Sequence, residues 1–265
     1  MRPGKVELYI NEILQSKGAM FFSLLDPVDY KDEESAIRTA RDCARGGADI
    51  VLIGGSVGVQ GSMLDSITKR IKEEVDVPVV LFPGNVATVT QHADAIYFLS
   101  VLNSRNPYWH VQAQMLAVPL VRSFSIEPLP VGYIVVAPGG TVGWVADINM
   151  VPREKPKIAA MMAMTGEYLG ERIIVTDTGS NPQMQGSGPI PHEMIRAVKS
   201  AISVPYIVGG GIRSIKELRS VYASGADIAQ IGAVFEGSNG HSSLRLSQQF
   251  SKVAKEEGAK KLRRM

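Results

Sequence analysis

Cysteine is almost absent: of 265 residues only Cys43 carries a thiol, which excludes an internal disulfide and leads to the expectation of a reducing, cytoplasmic setting. Cys43 falls in the apolar-periodic stretch Ala36–Ala44, so it reads as a packed thiol rather than a nucleophile. Long hydrophobic runs are missing too. Nothing approaches the ~18 uninterrupted apolar residues of a membrane-spanning helix, and Met1–Ile10, with Arg2, Lys5 and Glu7, has no apolar core of signal-peptide length. Neither sign of charge is in excess, with 28 Lys and Arg against 26 Asp and Glu. A nucleic-acid partner is therefore not expected, since no basic stripe exists beyond Lys260, Lys261, Arg263 and Arg264 at the end of the chain. That cluster reads as a frayed, solvated terminus, or as a site of transient contact with anionic lipid head groups. The histidines His92, His110, His192 and His241 lack metal-ligand spacing.

What the chain does have is alternation. Short β-branched runs alternate with longer amphipathic segments, the pattern of a parallel sheet wrapped by helices. Strands are expected at Met20–Leu25, Asp49–Ile53, Val77–Phe82, Ala95–Ser100, Val131–Ala137, Arg172–Asp177, Tyr206–Val208 and Asp227–Ile231. Helices are expected at Glu33–Arg45, Met63–Glu74, Pro107–Arg122, Pro156–Leu169, His192–Ser200, Ser214–Ser224 and Ser243–Glu257, with Pro119 ending or kinking its helix. Eight strands in a chain this long make a (β/α)8 TIM barrel, which needs about 250 residues. The stretch Val86–Asp94 is too short for a full crossover helix, so the helix after the third strand should be degenerate. No linker or internal repeat divides residues 1–265, which read as one domain.

Barrels build their active face from the C-terminal ends of the strands. Here those ends carry Asp26, Ser56, Asn85, Asn103, Thr141, Asp177, Gly209–Gly211 and Gly232. VGGGIRS (Val208–Ser214) and IGAVFE (Ile231–Glu236) follow strands seven and eight, the usual phosphate position of barrels. Glycine lets backbone N–H groups approach an anion, and a helix N-terminus adds its dipole. The GGGIR string selects phosphate and leaves the reaction open.

LFPGNV (Leu81–Val86), FLSVLNSRNPYW (Phe98–Trp109) and GYIVVAPGGTVGWV (Gly132–Val145), with LLDP at Leu24–Pro27 and IGGS at Ile53–Ser56, narrow the field. In consistent order from about Leu24 to Glu236, the chain resembles the geranylgeranylglyceryl phosphate synthase family, in its archaeal, oligomeric branch. That resemblance implies a prenyltransferase that joins geranylgeranyl diphosphate to the hydroxyl of sn-glycerol 1-phosphate, releasing diphosphate, in a cytoplasmic homo-oligomer. It implies Mg2+ at Asp26 and Ser56, a donor set that suits a cation preferring few protein oxygens. It assigns Val175, Thr176, Asp177, Thr178, Gly179, Ser180, Gly210, Gly211, Gly232 and Ala233 to glycerol 1-phosphate, with Asp177 as catalytic base.

The sixth strand departs from the family pattern. Where the family reads YLEAGSG, this chain reads VTDTGSN (Val175–Asn181), so Val175 stands for tyrosine and Asp177 for glutamate. The loop runs on through Pro191, and a second GSG at Gly186–Gly188 competes with Gly179–Ser180 as the matching element. Tyr97, Phe98, Leu99, Tyr108 and Trp109 are candidates to line or limit a prenyl groove. Asn103 and Arg105 are candidates to bind glycerol or support loops. Two other classes stay open: a different phosphate-binding barrel enzyme, and a catalytically altered family member.

Overall fold

The computed structural model describes residues 2–55, 57–236 and 241–263, with backbone alone at His241 and Ser242. Ser56, one of the two expected metal ligands, lies outside the described residues, as does Arg264. Strands β1 (Met20–Leu25), β2 (Ile50–Ile53), β3 (Val79–Leu81), β4 (Ala95–Val101), β5 (Glu127–Val135), β6 (Ile173–Asp177), β7 (Tyr206–Gly209) and β8 (Ile228–Ile231) pair in chain order, all parallel. β1 closes on β8 to complete the barrel.

Period-two alternation divides each strand between two layers. Met20, Phe22, Tyr97, Val131, Tyr133, Val175 and Ile207 fill the barrel interior. Phe21, Ile134, Ile174, Tyr206 and Val208 face the helices outside. Around the sheet lie α2 (Glu33–Arg45), α3 (Gly61–Glu74), α4 (Gln112–Ser123), α6 (Pro156–Leu169), α7 (His192–Ala201), α8 (Ile215–Ala223) and α9 (His241–Leu262). A short helix, α5 (Gly140–Val145), precedes α6, and α1 (Lys5–Lys17) precedes β1. Between β3 and β4 only turns occur, as the length of that connection predicts.

Three sequence expectations need correction. Pro119 does not end α4, which runs on to Ser123; it sits on the exposed face, where water can solvate the carbonyl its missing N–H leaves free. Strand β5 begins at Glu127, not Val131, despite Pro128 and Pro130. The carbonyl of Pro130 accepts from Arg172, so its nitrogen faces the β6 side, and β6 pairs only from Val131 onward. No ladder bond is lost there. Among the described residues the basic C-terminal segment is not frayed, because α9 continues to Leu262 and pairs Lys260 with Glu257 and Lys261 with Asp227.

Helix α1 lies outside the helices expected from the sequence. Val6 and Ile10 join the apolar cluster that fills the barrel, at the end where the strands begin. The Glu127 carboxylate accepts the free N–H groups of Val6 (2.7 Å) and Glu7 (2.9 Å), and Arg172 pairs with Glu7 at 2.7 Å. A carboxylate at a helix N-terminus satisfies orphan donors and the dipole together.

Candidate active site

At the opposite end, where the strands finish, the loops surround a cleft of about 1040 Å³ including the solvent at its mouth. Asp26 stands directly after β1 and Asp177 ends β6, both on the inward register. Each needs a glycine at the C-terminal end of the next strand, Gly54 just past β2 and Gly209 closing β7. A Cβ at Gly54 would come within 2.6 Å of Asp26 Oδ1, and one at Gly209 within 2.6 Å of Asp177 Oδ2. Asp177 is buried, its Oδ1 accepts from the Gly179 N–H at 2.6 Å, and the Tyr133 hydroxyl donates to the same carboxylate. Burial pushes the Asp177 pKa up to about 6, against those two hydrogen bonds, which hold it down. At neutral pH it is an ionised carboxylate near its titration range, as general-base work requires.

Asp26, Asp29 and Glu236 bring carboxylate oxygens within 4.8 Å of one another. Burial first, then the charges of Glu236, Asp29 and Asp177, push Asp26 up to about 7. Burial and Asp29 raise Glu236 to about 7, with Arg213 opposing. Crowded carboxylates of this kind fit a divalent cation, which would relieve the repulsion that now favours protonation.

The expected phosphate loops meet on the β6–β8 side. Gly179, Ser180, Gly210, Gly211, Gly232 and Ala233 line the cleft. Close packing explains the glycines: at φ 78°, Gly179 lies so near Gly139 that a Cβ would meet its carbonyl oxygen at 2.4 Å. Other expected contacts lie elsewhere. Val175 is stacked in the barrel interior. Thr176 faces the helices, its hydroxyl 2.7 Å from that of Tyr206. Thr178 is buried behind Gly210. Gly186 and Gly188, the competing GSG, line a separate hollow beside Arg153. Asn85 serves a turn with Ala87 and Thr88, and Asn103 ties β5 to Asn149. Arg105 pairs with Asp147 at 2.6 Å, so it supports loops.

Aromatic and aliphatic side chains make the other wall. Phe82, Leu99, Val101, Trp109, Val142 and Val145 line the cleft beside β3–β5. From Leu99 and Trp109, which line both, an apolar crevice of about 410 Å³ including open solvent runs past Pro83, Val86, Val89, Ile96, Phe98, Ala113 and Ala117. It occupies the gap left by the missing crossover helix, between the β3–β4 turns and α4. Tyr97 borders the crevice from the barrel interior, its hydroxyl 3.3 Å from Gln230. Tyr108 stacks edge-on against Trp109, while Trp144 is exposed.

Sequence reading missed Glu236, Asp29, Arg213 and Gln183. Glu236 and Arg213 sit inside strings already marked, IGAVFE and GGGIRS, where a polar residue after the glycines was the available signal. Gln183 and Asp29 carried none.

The PcrB family matches residues 11–250. The chain is 47% identical over 234 residues to the geranylgeranylglyceryl phosphate synthase of Pyrococcus abyssi, covering 88% of this chain and 90% of that one. It is 45% identical over 235 residues to the enzyme of the same name from Methanothermobacter thermautotrophicus, covering 89% and 93%. Among solved structures it is similar to (S)-3-O-geranylgeranylglyceryl phosphate synthase of Thermoplasma acidophilum in complex with its substrate sn-glycerol-1-phosphate. There the TM-score is 0.88 at 28% identity, over 96% of this chain and all of the other.

Proposed function

This chain belongs to the PcrB family, and from that membership we propose that it is a geranylgeranylglyceryl phosphate synthase. The enzyme joins sn-glycerol 1-phosphate to geranylgeranyl diphosphate. One observation carries this beyond likeness: Asp26, Asp177 and the Gly210–Gly211 loop converge on one cleft that opens into an apolar crevice. An anion cradle, a base and a lipid groove are what the reaction needs together.

The glycerol phosphate sits against Gly179, Ser180, Gly210, Gly211, Gly232 and Ala233, whose backbone N–H groups can approach its oxygens. The prenyl chain lies along Leu99 and Trp109 into the crevice, which excludes water and leaves the diphosphate at the polar end. Asp177 takes the proton of the attacking hydroxyl as its oxygen bonds to C1, and the C1–O bond to diphosphate breaks with both electrons leaving on diphosphate. Asp26 and Glu236, with Asp29 nearer solvent, would hold a magnesium ion, which when bound supplies positive charge to the departing diphosphate. Exposed apolar side chains on α4 (Met115, Leu116), at Val111 just before it and on α6 (Met161, Leu169) support self-association into a homo-oligomer.

Incubation with Mg2+, sn-glycerol 1-phosphate and labelled geranylgeranyl diphosphate should give an organic-extractable, phosphorylated product. Binding of both substrates without product would instead identify a catalytically altered family member.

A further inference from the structure

The geometry points to Arg213 as a grip on the phosphate of the glycerol substrate, aimed there by Asn181; this rests on the substrate proposed above. The cleft is lined by three carboxylates, Asp26, Asp177 and Glu236, and must admit a phosphate and a diphosphate as well. Among the described residues lining it, Arg213 is the one cationic side chain. Like charges in a partly dry cleft repel strongly, so a cation held at the phosphate end has a large effect.

Arg213 is held rather than waving. Its Nη1 donates to Asn181 Oδ1 at 2.7 Å. Its backbone N–H and that of Ser214 both donate to the Glu217 carboxylate at 2.9 Å, where Ser214 caps α8. A guanidinium has five N–H donors, and the bond to Asn181 uses one, which leaves a fork suited to phosphate oxygens. Fixing the head beforehand reduces the rotamer entropy lost on binding.

Asn181 gives the second, independent sign. Its backbone takes φ 51° and ψ 47°, a left-handed conformation that glycine adopts without strain. The side chain earns its place through the bond to Arg213, beside Ser180 in the cleft wall. On the other flank, Gln183 Nε2 donates to the Gly211 carbonyl at 2.6 Å. The loops after β6 and β7 are thus tied at two points around the glycine cradle. Inside it, the buried Thr178 hydroxyl has no hydrogen-bond partner among the described residues and lies against Gly210.

The test compares the full-length wild type with Arg213→Gln, Arg213→Lys and Asn181→Gly. Calorimetric binding of sn-glycerol 1-phosphate and of inorganic phosphate is measured beside steady-state kinetics and thermal melting. Arg213→Gln should raise Kd and KM for glycerol 1-phosphate ~10- to 100-fold, the scale of a charge-assisted hydrogen bond. KM for geranylgeranyl diphosphate should stay within about twofold. Arg213→Lys should recover part of the loss, since a point charge lacks the fork. Asn181→Gly should weaken glycerol phosphate several-fold without lowering Tm, a split that a purely structural loop residue would not give. Unchanged phosphate binding in Arg213→Gln and Asn181→Gly, or a rise confined to the prenyl diphosphate, overturns the assignment. Failure of the wild type to bind glycerol 1-phosphate would instead remove the underlying function.

Discussion

At the residue scale the proposed chemistry rests on Asp177, a carboxylate one methylene shorter than the glutamate of the pattern the chain resembles. Asp177 lies inward at the end of β6, level with side-chain-free Gly209, and is hydrogen-bonded to Tyr133 and Gly179. Asp177→Asn should lower turnover by roughly 10²–10⁴ with an unchanged melting curve. A base must be ionised to accept a proton, so wild-type kcat/KM should hold at neutral pH and fall as pH drops through about 6. Tyr133→Phe removes a donor that stabilises the ionised form, so that acidic limb should move to higher pH. A pH–rate profile with an unmoved limb would free Tyr133 of any role in tuning the base. The sequence marked Asp177 because a carboxylate at a strand end is conspicuous. Its partner Tyr133 was hidden, since a tyrosine in a strand reads as core until the neighbouring strand is set beside it.

Among the elements, the gap after β3 matters most. The thirteen residues between β3 and β4 are too few for a crossover helix, and that shortage was legible as a length. That it opens an apolar crevice flanked by α4 was not legible, because a groove belongs to two elements at once. Ala113 lines the crevice and is only partly buried, so a larger side chain there has room to fill the groove without invading the core. Ala113→Phe should shift preference from geranylgeranyl toward shorter prenyl diphosphates, read as the ratio of kcat/KM values between chain lengths. An unaltered ratio would place the prenyl tail elsewhere. Strand β5 carries a related lesson. It starts four residues before the expected Val131, and Pro128 and Pro130 fit there because the stagger of β6 leaves their nitrogens with no ladder bond to make.

Across the whole molecule the two ends of the barrel divide their tasks. At the end where strands begin, Glu127 caps α1, Asp49 accepts from the Phe21 N–H, and Asp227 binds Lys199 and Lys261. These contacts fasten α1, α7 and α9 to the sheet and β1 to the start of β2, at the end away from the cleft. Glu127→Ala should therefore cost about 1–2 kcal/mol of stability, the scale of losing a helix cap, while kcat and both KM values stay at wild-type levels. A large fall in kcat with unchanged stability would contradict that division. Among the described residues no helix is long and apolar enough to cross a membrane. By itself the sequence determined the strand count, the missing helix and the glycine loops, because each is written in local periodicity or length. Only the tertiary structure decided that Glu236 joins Asp26, that Tyr133 reaches Asp177 and that Asn181 meets Arg213. Those pairs lie from 32 to 210 positions apart, and closing the barrel is what brings them within reach.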